Sequence, residues 1–312
     1  MNKRAYFYTI IGVMLIVMLL LLMDFRIDTE VEQSSEATIS RVIAMDLLLD
    51  DLQKDIDRAV YITGFRALTG VVDYVIESGN YIDDSEQRLR EAFENGTVYG
   101  EQLTVLVNSS MSDWITKIIQ LSEQRGFNLS LSINRVNFSM KSPWKVAVST
   151  NLSVQLTDFS NTASWKTTIG SQQDISIVNF EDPVYMIMSF GRVFNVINVS
   201  NITDFVVGND TTNLKFHINH SLYISSELAP DFLMRLEGNF SSSQFGIESL
   251  VYLPEFSQQE LPVYERSCVD YLYACGCNES LYIVNDTYES WFRLDEQHLA
   301  VYQAEDVSEP AY

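Results

Sequence analysis

The sequence predicts an α+β protein with an N-terminal transmembrane helix that continues into a long amphipathic helix, followed by an antiparallel β-rich ectodomain. Three observations predict this class. An uncharged apolar stretch lies near the N-terminus, apolar residues then recur at spacings of three and four, and later segments alternate apolar with polar residues. Helices followed by strands with one buried face are typical of α+β folds.

The apolar stretch, residues 5–23, contains no charged side chain. A bilayer core is spanned by about 20 apolar residues in a helix, which satisfies its own backbone hydrogen bonds. Lys3 and Arg4 precede the stretch, and Asp24 and Asp28 follow it. Because basic residues stay on the cytoplasmic side, residues 1–4 are predicted to be a cytoplasmic stub. The rest of the chain is predicted to lie outside a cell membrane that it crosses once.

The same segment has two alternative interpretations. A cleaved signal peptide has an apolar region of roughly 7–15 residues and a small-residue cleavage site, and neither feature is present here. Cleavage before the stretch, leaving Ala5 as the new N-terminus, is the second alternative, with Thr9 at the position where many pilins carry Glu.

Residues 24–79 are predicted to form a long helical stalk. Apolar residues follow a heptad-like stripe at Val42, Met45, Leu49, Leu52, Ile56, Ala59 and Thr63. Such a stripe packs either on the protein's own domain or on another copy of the chain. Gly64 and Gly70 lower the helix propensity of the second half, and Gly79 marks its end.

Residues 80–180 are predicted to form an α+β domain with an antiparallel sheet. Helices are predicted near 83–94 and over 112–124, and strands over 127–133, 136–140, 145–156, 164–169 and 174–180. The strand predictions rest on period-two alternation, which buries one face of a strand.

Residues 181–303 are predicted to form a second β-rich region, and residues 304–312 a disordered acidic tail. Pro230 favours the first turn of a short helix that ends near Leu236, whereas 250–253 and 271–273 have the character of strands. The tail lacks an apolar pattern.

Net charge argues against one class of partner. The chain carries a formal charge of −22. Nucleic acid attracts basic surfaces, so nucleic-acid binding is not expected, and the acidity is interpreted as a solvated surface.

N-glycosylation sequons are enriched. Of 19 asparagines, 12 stand in Asn-x-Ser/Thr, against roughly 3 expected by chance from the Ser and Thr content. The acceptors are Asn95, Asn108, Asn128, Asn137, Asn151, Asn198, Asn201, Asn209, Asn219, Asn239, Asn278 and Asn285. All follow the predicted membrane segment. Strand alternation places Asn128 and Asn151 on exposed faces, as a bulky glycan requires. Unmodified polar strand faces are the alternative interpretation.

The three cysteines predict one disulfide and one remaining thiol. Disulfide geometry makes a bridge within Cys275-Gly-Cys277 tight, so pairing of Cys268 with Cys275 or with Cys277 is expected.

No motif predicts a catalytic, cofactor or metal site. His217 and His220 lie in a segment with the character of a strand, where alternation places them on opposite faces, away from a shared metal. Ser142 and Lys145 match the S-x-x-K spacing of serine acylases, but Lys145 opens a predicted strand.

The chain resembles uncharacterised membrane-anchored surface proteins of archaea with a type IV pilin-like N-terminus. The resemblance is carried by MNKRAY and its apolar helix, the amphipathic helix to residue 78 and the sequon-rich strands. It also rests on FGIESLV (245–251), CVDYLY (268–273) and WFRLDEQHLAVY (291–302). The resemblance implies a pilus-like or cell-envelope role and no known enzymatic site.

The sequence thus predicts a glycosylated, membrane-anchored extracellular protein with a structural, adhesive or pilus-like assembly role and no cofactor. Its expected partners are the lipid bilayer and other pilin-like or envelope proteins, contacted through residues 30–78. An ectoenzyme of the hydrolase class with an unrecognised site and a receptor-binding envelope glycoprotein are the alternatives.

Overall fold

The computed structural model describes the backbone of residues 3–277, 280–288 and 291–311, and the side chains of these ranges outside 3–10 and 24–37. The elements, in chain order, are α1 (Lys3–Ser78), α2 (Ser85–Asn95), β1 (Thr97–Val98), β2 (Glu101–Gln102), α3 (Met111–Gln124), β3 (Phe127–Ser142), β4 (Lys145–Asp158), β5 (Ser164–Ser176), α4 (Pro183–Met188), α5 (Thr212–Asn219), β6 (Tyr223–Ser225), α6 (Phe232–Leu236), β7 (Ile247–Ser249), α7 (Leu253–Gln258), α8 (Asp270–Cys275), β8 (Leu281–Val284), β9 (Arg293–Asp295), α9 (Glu296–Val301) and β10 (Ser308–Pro310). The α+β class is confirmed.

The chain divides into two compact units. The first contains Met1–Asp55, Ile119–Ser132 and Ser153–Thr168; the second contains Ile56–Ile118, Ile133–Leu152 and Ile169–Tyr312. The border predicted between residues 180 and 181 falls inside the second unit. Strands β3, β4 and β5 form a three-stranded sheet in chain order, and the smaller sheets are β1-β2, β6-β7 and β10-β8-β9.

Helix α1 confirms the predicted stripe. Met45, Leu52, Ile56, Ala59 and Thr63 are buried, and Val42 and Leu49 are half-buried. The stripe therefore packs within its own chain. A different side of α1 remains exposed in the first unit.

Two apolar segments of α1 differ in how far their side chains are buried. Among the described residues, Thr38–Ser78 is long and apolar enough to cross a membrane, with mean hydropathy 1.3 over its 18-residue window. That window is 56% buried inside the protein, as a core helix would be. Ile11–Met23 is a shorter apolar stretch, and all of its described side chains are exposed.

In the first unit, Asp158 fixes the turn between β4 and β5. Its carboxylate accepts hydrogen bonds from the backbone N–H of Thr162 at 2.7 Å and of Ala163 at 2.9 Å. Arg41 of α1 donates to the same carboxylate at 3.1 Å. The turn is thereby tied to the helix by a charge-assisted bond.

In the second unit, two glycines allow α1 to approach its neighbours closely. A Cβ at Gly64 would lie 2.9 Å from Ile175 Cδ1 and 3.1 Å from Val148 Cγ2. A Cβ at Gly70 would lie 2.9 Å from Leu103 Cδ1. The glycines that lower helix propensity thus permit tight packing against the strands and the loop after β2.

The C-terminal part corrects several predictions. Residues 181–303 contain mainly short helices, so the region is not β-rich. The predicted strand 250–253 is wrong because β7 ends at Ser249 and Pro254 stands in the first turn of α7. The predicted strand 271–273 lies in α8, which ends where Gly276 adopts φ +68° and its N–H reaches Leu272 O.

The predicted disordered tail is also corrected. Residues 305–307 form a 3₁₀ turn, and β10 pairs antiparallel with β8. Val307 is buried, and its carbonyl accepts a hydrogen bond from the Asn285 N–H at 2.8 Å. Strand pairing and the buried side chains of Ala304 and Val307 order a segment that has no apolar periodicity of its own.

Candidate functional site

The second unit contains a buried ionic centre formed by Arg235, Asp182 and Asp270. All three side chains have 0% exposure. Burying a charge is costly unless it is paired and hydrogen-bonded, so the placement of each partner matters.

Each carboxylate is positioned by a helix N-terminus. Asp182 caps α4, where Pro183 fixes the first turn, and its Oδ1 accepts a hydrogen bond from Val184 N at 3.0 Å. Asp270 opens α8, and its Oδ1 accepts from Tyr271 N at 2.6 Å. Helix N-termini favour negative charge, whereas burial raises the pKa of Asp270 above its ordinary value.

The Arg235 guanidinium, presented by α6, bridges the two carboxylates. Its Nη2 donates to Asp270 Oδ2 at 2.7 Å and also to Asp182 Oδ2, and its Nε donates to Asp182 Oδ1 at 3.2 Å. Its Nη1 donates to Ile247 O at 3.1 Å. Burial lowers the pKa of Arg235, but the two carboxylates reverse this effect and raise it well above its ordinary value. Arg235 therefore remains charged.

Hydroxyl groups extend this centre. Tyr223 donates to Asp182 Oδ2 at 2.7 Å, and Ser249 Oγ donates to Asp270 Oδ2 at 2.7 Å. The Tyr185 hydroxyl lies 2.9 Å from Ser249 Oγ. Burial is the main cause that raises the pKa of Tyr185 and Tyr223 well above 10, and nearby carboxylates add to it. Both tyrosines stay neutral hydrogen-bonding groups.

A second buried cluster joins Glu248, His298 and Asp295. The His298 Nδ1 lies 2.7 Å from Asp295 Oδ1, and its Nε2 lies 3.2 Å from Glu248 Oε2. Burial lowers the pKa of His298, but hydrogen bonds to the two carboxylates outweigh it and raise the pKa to about 10. The same hydrogen bond from His298, opposed by burial, lowers the pKa of Asp295. His298 is thus an imidazolium at neutral pH.

Some buried polar atoms lack a hydrogen-bond partner among the described residues. They are Glu248 Oε1, the Tyr302 hydroxyl, His217 Nε2 and Thr150 Oγ1. Burial raises the pKa of Tyr302 well above 10, and the nearby Glu248 raises the pKa of Tyr302 further. In His217, burial lowers the pKa to about 4, so this imidazole is neutral.

The two clusters are built from segments that the chain brings together by backbone pairing. Val251 N donates to Cys268 O at 2.7 Å, and Cys268 N donates to Arg293 O at 2.8 Å. These backbone hydrogen bonds join the three segments 245–251, 268–273 and 291–302. The segments supply Glu248, Ser249, Asp270, Asp295 and His298.

No protein-family model, curated protein or solved structure matches this chain. The side chains of the buried centre are shielded from water, whereas catalysis requires a group within reach of a substrate. Two surface cavities, of about 420 and 400 Å³, are lined by other residues. Among the described residues, no group of three His, Cys, Asp or Glu side chains is arranged to hold a metal ion.

The predicted glycan acceptors mostly lie at the surface. Asn278 lies outside the described residues. Of the other 11, all are exposed except Asn137, which is half-buried. Asn219 is exposed, but its Oδ1 accepts a hydrogen bond from the Tyr288 hydroxyl. Occupancy of these sites remains a prediction.

The predicted cysteine pairing is corrected. The structure bonds Cys275 to Cys277, with Cα atoms 5.4 Å apart, and leaves the Cys268 thiol buried and free. The positive φ of Gly276 turns the chain back on itself, so two cysteines separated by one residue reach bonding distance.

The other sequence candidates are dispersed. His217 and His220 lie on helix α5, not on a strand, with His217 buried and His220 exposed. Ser142 ends β3 and Lys145 opens β4, with the turn between them. No sequence motif indicated Asp182, Arg235 or Asp270 as site residues. Asp182 directly before Pro183 is typical of a helix N-cap, and this local pattern could have indicated one residue of the centre.

Proposed function

We propose that this chain is a glycosylated, membrane-anchored extracellular protein with a structural, adhesive or pilus-like assembly role and no catalytic activity. The observation that carries the proposal is the change in environment along α1. The described apolar residues Ile11–Met23 are all exposed, whereas α1 residues from 56 onward are extensively buried. These thirteen consecutive residues, all apolar or glycine, require contact with lipid or with another protein surface.

Membrane insertion is the first part to test. Full-length protein expressed in membranes is extracted with carbonate and compared with a variant that carries Leu15→Lys and Leu19→Lys. We expect the natural chain to stay in the membrane pellet and the variant to be released, because lysine near a helix centre opposes insertion. Release of the natural chain under these conditions contradicts the anchor.

Topology and processing are measured on the same preparation. Protease added to sealed right-side-out cells is expected to digest the ectodomain and spare the N-terminus. Mass spectrometry of the native protein separates a chain that retains Met1 from one that begins at Ala5, the start that pilin-like processing produces.

The assembly role is supported by an exposed stripe on α1 in the first unit. Ile39, Ile43 and Leu47 are 57%, 55% and 60% exposed and follow one another at intervals of four, so they share a face. Ile39 begins about 24 Å beyond Met23 at 1.5 Å per residue, which places it past the lipid core. Copies anchored in one membrane present this stripe at the same height, so a second copy is the proposed occupant.

Disulfide crosslinking tests the stripe. Ile43→Cys is expected to give a covalent dimer in native membranes after mild oxidation. Ala44→Cys is the matched control, because Ala44 is also exposed but lies about 100° around the helix from Ile43. Equal crosslinking of both variants, or of neither, contradicts parallel packing of this face.

A further inference from the structure

A disulfide near the surface stands at the end of α8. Cys275 is the last residue of the helix, Cys277 follows one residue later, and their sulfurs are bonded. Cys275 is half-buried and Cys277 is exposed. An external thiol therefore has access to at least one end of this bond.

The loop that the bond closes is too short for a major structural role. The stabilisation that a disulfide provides by restricting the unfolded chain increases with loop length, and here a single residue, Gly276, separates the cysteines. Cys268, which could close a longer loop, is instead a free thiol whose pKa burial raises to about 12.

A fixed cation lies over the bond's loop. The Arg266 Cζ is 3.1 Å from the position a Cβ would take at Gly276, so a larger residue there would crowd the guanidinium. Arg266 is held there by a hydrogen bond from its Nη1 to Tyr273 O at 3.0 Å. It also stacks on the Tyr264 ring at 4.3 Å. A neighbouring cation stabilises a thiolate.

The two sulfurs are not equivalent. The backbone N–H of Cys277 lies 3.1 Å from Cys275 Sγ and donates to it. Negative charge that develops on Cys275 is therefore stabilised by this N–H. The Arg266 guanidinium, which lies against the intervening Gly276, adds a positive charge beside the loop. Exchange rates rise when the leaving sulfur is the better thiolate.

We propose that Cys275 and Cys277 form a thiol–disulfide exchange site for accessible cysteine pairs of other polypeptides. A substrate thiolate attacks the exposed Cys277 sulfur; a new S–S bond forms, the Cys275–Cys277 bond breaks, and Cys275 leaves as a thiolate that takes up a proton. The second substrate thiol, as a thiolate, then attacks the first substrate sulfur in the mixed disulfide. Cys277 leaves as a thiolate and takes up a proton. The substrate dithiol is oxidised by two electrons, and one disulfide of the chain is reduced to two thiols. The site adds a redox capacity that the proposed structural role does not require.

The test uses the full-length protein in detergent micelles and millimolar reduced glutathione as the probe thiol. Thiols are labelled with a maleimide over time and assigned by mass spectrometry, while circular dichroism monitors folding. We expect Cys275 and Cys277 to become labelled with the fold intact and Cys268 to stay unlabelled. Resistance of the disulfide to reduction until the protein unfolds overturns the proposal.

Substitutions separate exchange from a structural role. Arg266→Gln is expected to slow reduction roughly threefold or more, because it removes the charge beside the leaving thiolate. Arg266→Lys should retain most of the rate, and Arg90→Gln, an exposed arginine on α2, should not change it. Equal rates for wild type and Arg266→Gln overturn the role of the cation. If the Cys275→Ser and Cys277→Ser double variant loses its fold, the disulfide has a structural role, and the proposed exchange site is overturned.

Discussion

Arg235 of α6 and Asp270 of α8 lie 35 residues apart in the chain and form an ion pair with an Nη2–Oδ2 distance of 2.7 Å, fully shielded from solvent. Asp182, a further 53 residues before Arg235, occupies the other side of the same guanidinium. One cation therefore joins the N-termini of two short helices. Helices of this length are unstable in isolation, so tertiary contacts must hold them.

Substitution of Arg235 by Met should destabilise the protein strongly. It leaves Asp182 and Asp270 buried without their cation, and breaking a buried pair in this way costs about 3–5 kcal/mol. Chemical denaturation of full-length protein in micelles, followed by circular dichroism, measures the change. Arg90→Met is the control, because Arg90 pairs with Glu86 at the surface, where both side chains are about half exposed. An exposed pair contributes about 0.5 kcal/mol.

The same experiment has a rescue arm. Combining Arg235→Met with Asp182→Asn and Asp270→Asn removes the unpaired negative charges, so part of the lost stability should return. If Arg235→Met alone matches the surface control, the buried centre is not a major source of stability.

Stability should fall at alkaline pH because of His298. The pKa of His298 is raised to about 10 in the folded protein, from an unfolded value of 6.5, so the folded state holds the proton more tightly. Its contribution is complete below about pH 6.5 and is lost as the pH rises toward 10. Melting temperatures measured between pH 6 and pH 10 should show this loss.

The control variant for this pH dependence is His298→Gln. Glutamine does not titrate, so its stability should change less than that of the natural protein across the same range. A His220→Gln variant removes an exposed histidine and should keep the full pH dependence. An unchanged slope in His298→Gln assigns the titration to another group.

Gly64 should not tolerate a large side chain. A Cβ there would lie closer to Ile175 Cδ1 and Val148 Cγ2 than ordinary van der Waals contact allows, so Gly64→Leu overpacks the second unit. Overpacking costs about 1–3 kcal/mol, which exceeds the gain in helix propensity. Arg66→Leu, at an exposed position two residues away, should remain within about 0.5 kcal/mol of wild type. Denaturant midpoints for the two variants give the comparison.

Glycan occupancy should follow exposure. Asn128 and Asn151 are exposed on strands β3 and β4, so glycosylation there should be complete, whereas half-buried Asn137 should be modified least. Glycopeptide mass spectrometry of protein from its native membrane reports each site. Asn151→Gln should lose one glycan without loss of folding, since the side chain faces water. Absence of glycan at all the exposed acceptors would remove the glycoprotein part of the proposal.

The sequence alone determined the elements whose signal is local. An apolar stretch and a heptad-like stripe predicted the helix at Lys3–Ser78, and helices were also predicted near the positions of Ser85–Asn95 and Met111–Gln124. Alternation predicted β4, but it divided β3 into 127–133 and 136–140, and it divided β5, which ends at Ser176, into 164–169 and 174–180. The buried face of α1 follows from its spacing. These patterns are visible because an element's own residues must match the face that it buries.

Only the tertiary structure decided the C-terminal half. Residues 271–273 have the character of a strand, yet they form a helix whose first residue, Asp270, is bound by Arg235 from α6. The tail is ordered by pairing with β8, and Cys275 bonds Cys277 because Gly276 reverses the chain. A partner that is distant in sequence leaves no local pattern. The amino-acid sequence therefore predicted the long apolar helix from local pattern, while the buried ionic centre followed from long-range pairing of charges.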